Sequence, residues 1–239
     1  MNTKREQVFV WSRKIRLFHW INVICISLLI ILGVIILNSK LIGVSIDGKV
    51  LLKTIHVLIG YVFAINLIIR ITVGFIGTAH ERWSKTLPFY KGFKTALVNF
   101  MQGKKATYKG HNPAGKLMVF ALLFLMTVQM ISGLVIAGTD LYYPPLGQYF
   151  AQTIAIDKDK ANEIKPYSKE NVDEVAYKEM RDIRKPFITA HVYAFYGLIF
   201  LIPLHIIGVI VAERRERSAL VSSMVNGYKY LPKTNDTDD

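Results

Sequence analysis

The sequence has very little cysteine and comparatively little negative charge. Its single cysteine, Cys25, lies inside an apolar stretch, which excludes an internal disulfide framework and a C-x-x-C-H motif for covalent haem attachment. Aspartate and glutamate number 17 against 30 lysines and arginines, which gives a formal net charge of +13. The basic residues flank apolar stretches instead of forming one long tract. The charge therefore indicates a membrane surface and argues against nucleic-acid binding.

Long apolar runs are what the sequence does contain. Hydrophobic residues make up 52% of the 239 residues, and the mean hydropathy of +0.32 is typical of a small helical membrane protein. Four runs are long enough to cross a bilayer as helices, at about residues 17–37, 50–77, 114–137 and 187–211. We predict an all-α membrane protein, with a four-helix transmembrane bundle in residues 1–215, a long loop at 138–186 and a polar tail at 216–239, disordered at its end.

The distribution of lysine and arginine predicts the orientation of these spans. Residues 1–17 carry five basic side chains, and the loop at 78–112 carries seven basic residues and one acid. The turn at 38–49 carries two basic residues, and the loop at 138–186 balances eight with nine acids. Cytoplasmic segments carry the excess of lysine and arginine. We therefore place both termini in the cytoplasm, the loop at 138–186 in the periplasm, and the chain in the bacterial inner membrane.

Histidines lie within the apolar runs at matching depths. His191 and His205 are 14 residues apart in the fourth run, so both leave one face of a helix, separated by roughly 21 Å along its axis. With the predicted orientation, His56 of the second run matches the depth of His191. His19 of the first run matches His205 less well, unless the first helix is tilted or begins before residue 17. The sequence thus predicts the pairs His56–His191 and His19–His205.

Two stacked haems are the chemistry that such pairs favour. Two axial imidazoles fill both free positions of a haem iron, which suits electron transfer. Histidine inside a bilayer is otherwise costly, so four at mirrored depths need a common explanation. Isolated histidines, each hydrogen-bonded within the bundle, are the alternative.

The motifs around these histidines are similar to those of a known family. VFVWSRKIRLFHW, the His56-x-x-x-Gly60 step, GHNPAGK at 110–116 and RKPF before His191 resemble the b-type cytochrome subunits of nickel–iron hydrogenases. The resemblance covers about residues 8–215 and extends to formate dehydrogenase gamma subunits and bacterial cytochrome b561. Ser12 stands where the family usually has an acid. The resemblance to this family implies electron transfer through two b haems between the quinone pool and a periplasmic partner, either a hydrogenase-type enzyme or a c-type cytochrome.

Other functions and further site residues remain open at this stage. A standalone quinone-linked oxidoreductase of a small oxidant, or a non-redox histidine-containing membrane transporter, is the alternative function. Arg70 is predicted to pair with a haem propionate or to reach the headgroups. His111, Asn112 and Lys116 are predicted to bind quinone, or simply to form the turn that begins the third helix. His80 and His111 lie outside the spans and are excluded as iron ligands.

Two smaller expectations concern glycines and the long loop. Gly60 and Gly208 each lie one turn from a predicted ligand, where a glycine lets a flat macrocycle approach the backbone or allows ordinary helix packing. Residues 171–184 are predicted to form a short amphipathic helix on the periplasmic surface. That helix would either dock a redox partner or cover the haem nearest to it.

Overall fold

Helices make up most of the computed structural model, which describes residues 5–77, 81–104, 108–216 and 218–232. In chain order the elements are β1 (Arg5–Phe9), α1 (Arg13–Leu37), α2 (Ile46–Ile76), α3 (Trp83–Thr86), α4 (Phe93–Met101), α5 (Pro113–Asp140), α6 (Gly147–Ile154), a 3-10 helix (Lys158–Glu163), α7 (Glu174–Glu216), α8 (Leu220–Asn226) and β2 (Tyr228–Pro232).

Four of these helices, α1, α2, α5 and α7, are long and apolar enough to cross a membrane, which confirms the four predicted spans. They extend beyond the apolar runs. Helix α1 begins at Arg13 and α7 at Glu174, because charged residues end an apolar run while remaining good helix formers. The amphipathic helix predicted at 171–184 is therefore the beginning of α7.

The apolar side chains of the long helices mostly point away from the protein. In the most apolar windows of α1, α5 and α7 only 11% of the residues are buried. Large side chains such as Ile24, Phe124 and Phe200 are between 58% and 69% exposed. Contiguous exposed apolar surface of this kind marks contact with a partner or with lipid. On helices of this length, it indicates contact with hydrocarbon chains.

The chain divides into two compact units, and each long helix contributes one segment to each unit. The first unit contains residues 1–21, 66–124 and 198–239, and the second contains residues 22–65 and 125–197. His19 and His205 therefore belong to the first unit, and His56 and His191 belong to the second.

Within the second unit, residues 138–186 are a folded segment with a core of their own. The buried members of this core are Phe150, Ile154, Ala155, Ala161, Ile164, Val172 and Met180. Asn171 closes the segment: its side chain accepts from the Asp157 amide at 2.7 Å and donates to the Asp157 carbonyl at 2.9 Å. These contacts give a long connection its own structure, which explains its length.

Asp140, at the end of α5, joins three helices of the second unit. Its carboxylate accepts from the Lys53 ammonium of α2 and from Arg184 of α7 at 2.7 Å. Lys53 also donates to the Tyr167 hydroxyl at 2.5 Å. The three side chains of this ion cluster are between 13% and 23% exposed. Removing one of their charges therefore costs more stability than breaking an exposed surface ion pair does.

Within the first unit, segments near the two termini pair with each other. β1 and β2 form a two-stranded antiparallel sheet, with Phe9 opposite Tyr228. The amides of Val10 and Trp11 both donate to the Gly227 carbonyl, at 2.9 and 3.1 Å. The predicted polar tail is thus folded as far as residue 232. The sheet also departs from the all-α prediction, while residues 233–239 lie outside the described residues.

Replacing Asp140 by asparagine removes the charge that compensates Lys53 and Arg184. We expect Asp140→Asn to lower the free energy of unfolding by on the order of 2 kcal/mol, since it leaves two partly buried cations without a carboxylate. Thermal unfolding in detergent measures the effect. Asp182→Asn is the matched control, because Asp182 and its partner Lys185 are 54% and 70% exposed, and an exposed ion pair contributes little to stability. Equal effects of the two variants would contradict the role of Asp140.

Candidate functional site

The second unit brings His56 of α2 and His191 of α7 together. Their ring centroids are 6.3 Å apart, with an interplanar angle of 64°. A metal–imidazole bond is about 2 Å long and the ring centre lies about 1 Å further, so one metal between two imidazoles separates the centroids by roughly 6 Å. The observed spacing therefore fits a single iron bound by both rings.

Residues of α1 and α5 lie against the His56 and His191 rings. A Cβ atom placed on Gly133 of α5 would lie 3.3 Å from Cε1 of His191, and one on Gly33 of α1 would lie 3.8 Å from Cε1 of His56. The hydroxyl of Ser132, which is 2% exposed, lies 2.9 Å from Nδ1 of His191. These contacts orient the rings, as the neighbours of metal-binding histidines generally do.

The first unit brings His19 of α1 near His205 of α7, close enough for their charges to interact. Helix α1 begins at Arg13 and α7 continues to Glu216, so both histidines lie well inside their helices, but the difference in their depths from the helix ends that was expected from the sequence remains. Arg16 and Trp20, on either side of His19, donate to the carbonyls of Val225 and Met224 in α8. The C-terminal segment therefore helps to position the helix turn that carries His19.

Buried nitrogen atoms test whether these pairs fit a haem. Nδ1 of His19 and Nδ1 of His56 are buried without a hydrogen-bond partner within the described ranges. Buried polar atoms are normally satisfied, and imidazole is a common axial ligand of haem iron. These Nδ1 atoms have no acceptor of the kind that neighbouring groups give to metal-binding histidines, so the 6.3 Å ring spacing of His56 and His191 is the observation that fits a group bound between the rings.

The two predicted glycines face open space, so the expectation that a macrocycle lies against them stays a prediction. Cβ atoms placed on Gly60 and Gly208 would meet no atom of the described structure within 4 Å. Gly33 and Gly133 are the glycines that contact the histidine rings. Sequence reasoning missed Gly133 and Ser132, and a small-residue pair in the middle of an apolar run was the available signal.

Arg70 is deeply buried at 5% exposure. It donates to the Glu81 carbonyl at 3.2 Å, and its guanidinium carbon lies 4.3 Å from the centre of the Trp83 ring. Ser12 donates to the Glu81 carboxylate, so a carboxylate reaches the start of α1 although Ser12 is not an acid. This burial does not match an arginine that extends to the headgroups.

His111 and Asn112 lie together at the start of α5. The Asn112 side chain accepts from the Gly115 amide at 2.7 Å and donates to Glu216 at 3.0 Å. The His111 ring lies 4.8 Å from the Trp11 ring. Burial and the nearby positive charge of Lys229 lower the pKa of His111 to about 3, so this imidazole is neutral at physiological pH.

Basic side chains surround His111. Lys116 lies over the Tyr90 ring at 4.5 Å, and its charge, like that of Arg70, interacts with His111. Lys229 of β2 is 2% exposed and donates to the Gly110 carbonyl at 2.7 Å. Burial lowers the pKa of Lys229 to about 8, against the opposing effect of Glu216. Sequence reasoning missed Lys229 because it lies in the expected tail. The predicted non-ligand His80 lies outside the described residues.

Comparisons with known proteins agree with this geometry. The profile of the family described as prokaryotic cytochrome b561 matches residues 10–227. A probable Ni/Fe-hydrogenase B-type cytochrome subunit of Rhizobium leguminosarum bv. viciae is 24% identical, over 98% of this chain and 93% of the relative. The corresponding probable subunit of hydrogenase 1 from Escherichia coli K12 is 29% identical over 59% of this chain and 64% of the relative.

A third relative with the same description, from Cupriavidus necator, is 24% identical over 94% of this chain and 87% of the relative. No solved structure matches the chain significantly. The family resemblance expected from the sequence motifs is confirmed. The chain belongs to the prokaryotic cytochrome b561 family and is a multi-pass membrane b-type cytochrome that binds haem b and transfers electrons.

Proposed function

We propose that this cytochrome transfers electrons between the quinone pool and a periplasmic redox enzyme through two haem b groups, each held by two histidines. The observation that carries the proposal is the 6.3 Å separation of the His56 and His191 rings. When bound, haem b would supply reversible one-electron chemistry. The proposed location is the bacterial inner membrane, with both termini in the cytoplasm, as the lysine and arginine distribution favours.

The histidines act as fixed ligands in this proposal. His56 and His191 hold one haem, and His19 and His205 hold the other. Each pair joins α7 to a different helix, so haem binding would also join the helices. Arg70 is the proposed partner of a haem propionate. Its buried guanidinium interacts with His111, and Arg70 belongs to the same unit as His19 and His205.

The quinone is proposed to bind at the start of α5. His111 is neutral and Lys116 is a cation, and both can donate hydrogen bonds to the carbonyl oxygens of a quinone. Asn112 uses its oxygen on Gly115 and an amide proton on Glu216, so we assign it chiefly to holding the turn. Its second amide proton can reach toward the ligand.

Protons must accompany the electrons at this site, because oxidation of a quinol to a quinone releases two electrons and two protons. Lys229 interacts with His111, and its pKa of about 8 allows it to take up and release a proton near physiological pH. Glu216, at the end of α7, is the acidic residue that interacts with Lys229, and its negative charge raises the pKa of Lys229. Lys229 is therefore the proposed proton acceptor.

The proposed partner is a hydrogenase-type enzyme, because the relatives are described as Ni/Fe-hydrogenase cytochrome subunits. The folded segment at 138–186 exposes apolar side chains outside the four spans predicted from the sequence. Tyr149 is 66% exposed, and Ile156 and Val175 are each 69% exposed. We take these exposed apolar side chains as the candidate contacts for that partner.

Haem content tests the ligand pairs. We expect two haems per chain in the wild type and about one in each of four single variants, His19→Ala, His56→Ala, His191→Ala and His205→Ala, since a bis-imidazole site loses half its ligands. A pyridine haemochrome assay and reduced-minus-oxidised spectra measure the content. Variants of one pair should lose the same spectral component, and His111→Gln should keep both. One haem per wild-type chain would overturn the proposal.

Quinol-driven haem reduction tests the quinone site. His111→Gln and Lys116→Met should each slow reduction by quinol about tenfold, since a lost hydrogen bond of roughly 1–1.5 kcal/mol corresponds to that factor. Reduction by dithionite should stay complete. Lys94→Met is the matched control, because Lys94 is exposed on α4. Rates equal to wild type in both site variants would rule out this location.

The pH profile of the same reaction tests Lys229. Lys229 accepts a proton only when it is deprotonated, so the rate should rise as the pH increases through about 8. Lys229→Met should remove this rise, while Lys94→Met should retain it. A profile unchanged by Lys229→Met would show that another group accepts the proton.

Co-purification tests the partner surface. Ile156→Glu and Val175→Glu place charges on exposed apolar positions and should reduce the amount of native enzyme recovered with the tagged cytochrome, by about tenfold for a loss near 1.4 kcal/mol. Haem content should not change. Tyr230→Glu, in β2 of the other unit, is the control. Purification with no redox partner from the wild type would favour a standalone oxidoreductase.

A further inference from the structure

The buried Ser132 hydroxyl has three close polar neighbours. Its Oγ lies 2.6 Å from the Val128 carbonyl, 3.3 Å from the Gln129 carbonyl and 2.9 Å from Nδ1 of His191. A hydroxyl has one proton to donate and can accept two hydrogen bonds. The shortest contact is with a carbonyl, which can only accept. The Ser132 proton therefore points to the Val128 carbonyl.

This assignment fixes the tautomer of His191. Because the Ser132 proton is already used, the 2.9 Å contact requires Nδ1 of His191 to donate its proton to Oγ. The Ser132 contact thus places the imidazole proton on Nδ1 and leaves the lone pair on Nε2, the nitrogen that is available to iron.

Gly133 supports the same ring from the next position of α5. A Cβ atom there would lie 3.3 Å from Cε1 and 3.8 Å from Nδ1 of His191. Even alanine would press on the imidazole. Two adjacent residues of α5 therefore position the His191 ring. Ser132 sets the direction of the ring through its hydrogen bond, and Gly133 allows the ring to lie close to α5.

We propose that Ser132 is a positioning residue that holds His191 as an Nε2 ligand and lowers the reduction potential of the haem at the His56–His191 pair. This inference rests on the proposed function of that pair. A hydrogen bond from Nδ1–H makes the imidazole a more basic ligand. A more basic ligand favours ferric over ferrous iron. Nδ1 of His19 and of His56 has no such acceptor within the described ranges, so the tuning acts on His191.

Redox titration in a His19→Ala background tests this proposal, because a single haem, the one at His56–His191, should remain. Ser132→Ala should move its midpoint potential to a more positive value and change its low-spin electron paramagnetic resonance signal. Ser132→Thr keeps the hydroxyl and should restore values close to those of Ser132. Ser27→Ala is the matched control, because the Ser27 hydroxyl also donates to a carbonyl, that of Val23 at 2.7 Å, and should shift neither.

Two results would overturn the role of Ser132: an unchanged potential in Ser132→Ala, or an equal shift in Ser27→Ala. Gly133→Ala provides a second measurement, and it should alter the resonance signal by displacing the ring while Ser132 is intact. Failure of the proposed function is recognised separately. In that case the His19→Ala parent would contain no haem or two haems before Ser132 is changed.

Discussion

The close approach of imidazoles on different helices is the constraint on which this structure depends. Lipid offers no hydrophobic drive for one apolar helix to pack against another, so polar contacts and close packing must select the arrangement. An imidazole facing hydrocarbon is costly. Placing His56 against His191, and His19 near His205, turns these rings toward other helices and joins α7 to both α1 and α2. The proposed haem sites and the helix arrangement would therefore depend on the same contacts.

The sequence predicts these contacts well where a periodic pattern determines them. Hydropathy locates the four spans, and the spacing of His191 and His205 places both on one helix face. Helix ends are predicted less well: α1 begins at Arg13 and α7 at Glu174. Hydropathy detects where the apolar surroundings end, whereas a helix ends where its backbone hydrogen bonds end. Long helices commonly continue into the interface, where charged residues are favoured.

The remaining features depend on contacts between distant residues. Ser132 reaches His191 because of how α5 is rotated about its axis, and no local pattern determines that rotation. Lys229 becomes buried because β2 pairs with β1 at the other end of the chain. A short polar segment at the end of a sequence is predicted to be disordered unless the strand with which it pairs is known. Sequence reasoning therefore places the paired histidines more reliably than the residues that orient them or set their charge.

The two units differ in how they compensate charge. In the second unit, the Asp140 carboxylate is shared by two cations, Lys53 and Arg184, so the cluster keeps one positive charge in excess. In the first, Arg70, Lys116 and Lys229 all act on His111, with Glu216 opposing at Lys229. A buried excess of positive charge destabilises a protein unless an anion compensates it. A haem propionate, or a quinol losing its protons, carries the negative charge that such surroundings favour. Glu81 beside Arg70 and Glu216 beside Lys229 compensate part of this charge, and the remaining positive charge is the feature of the first unit that favours an anionic ligand.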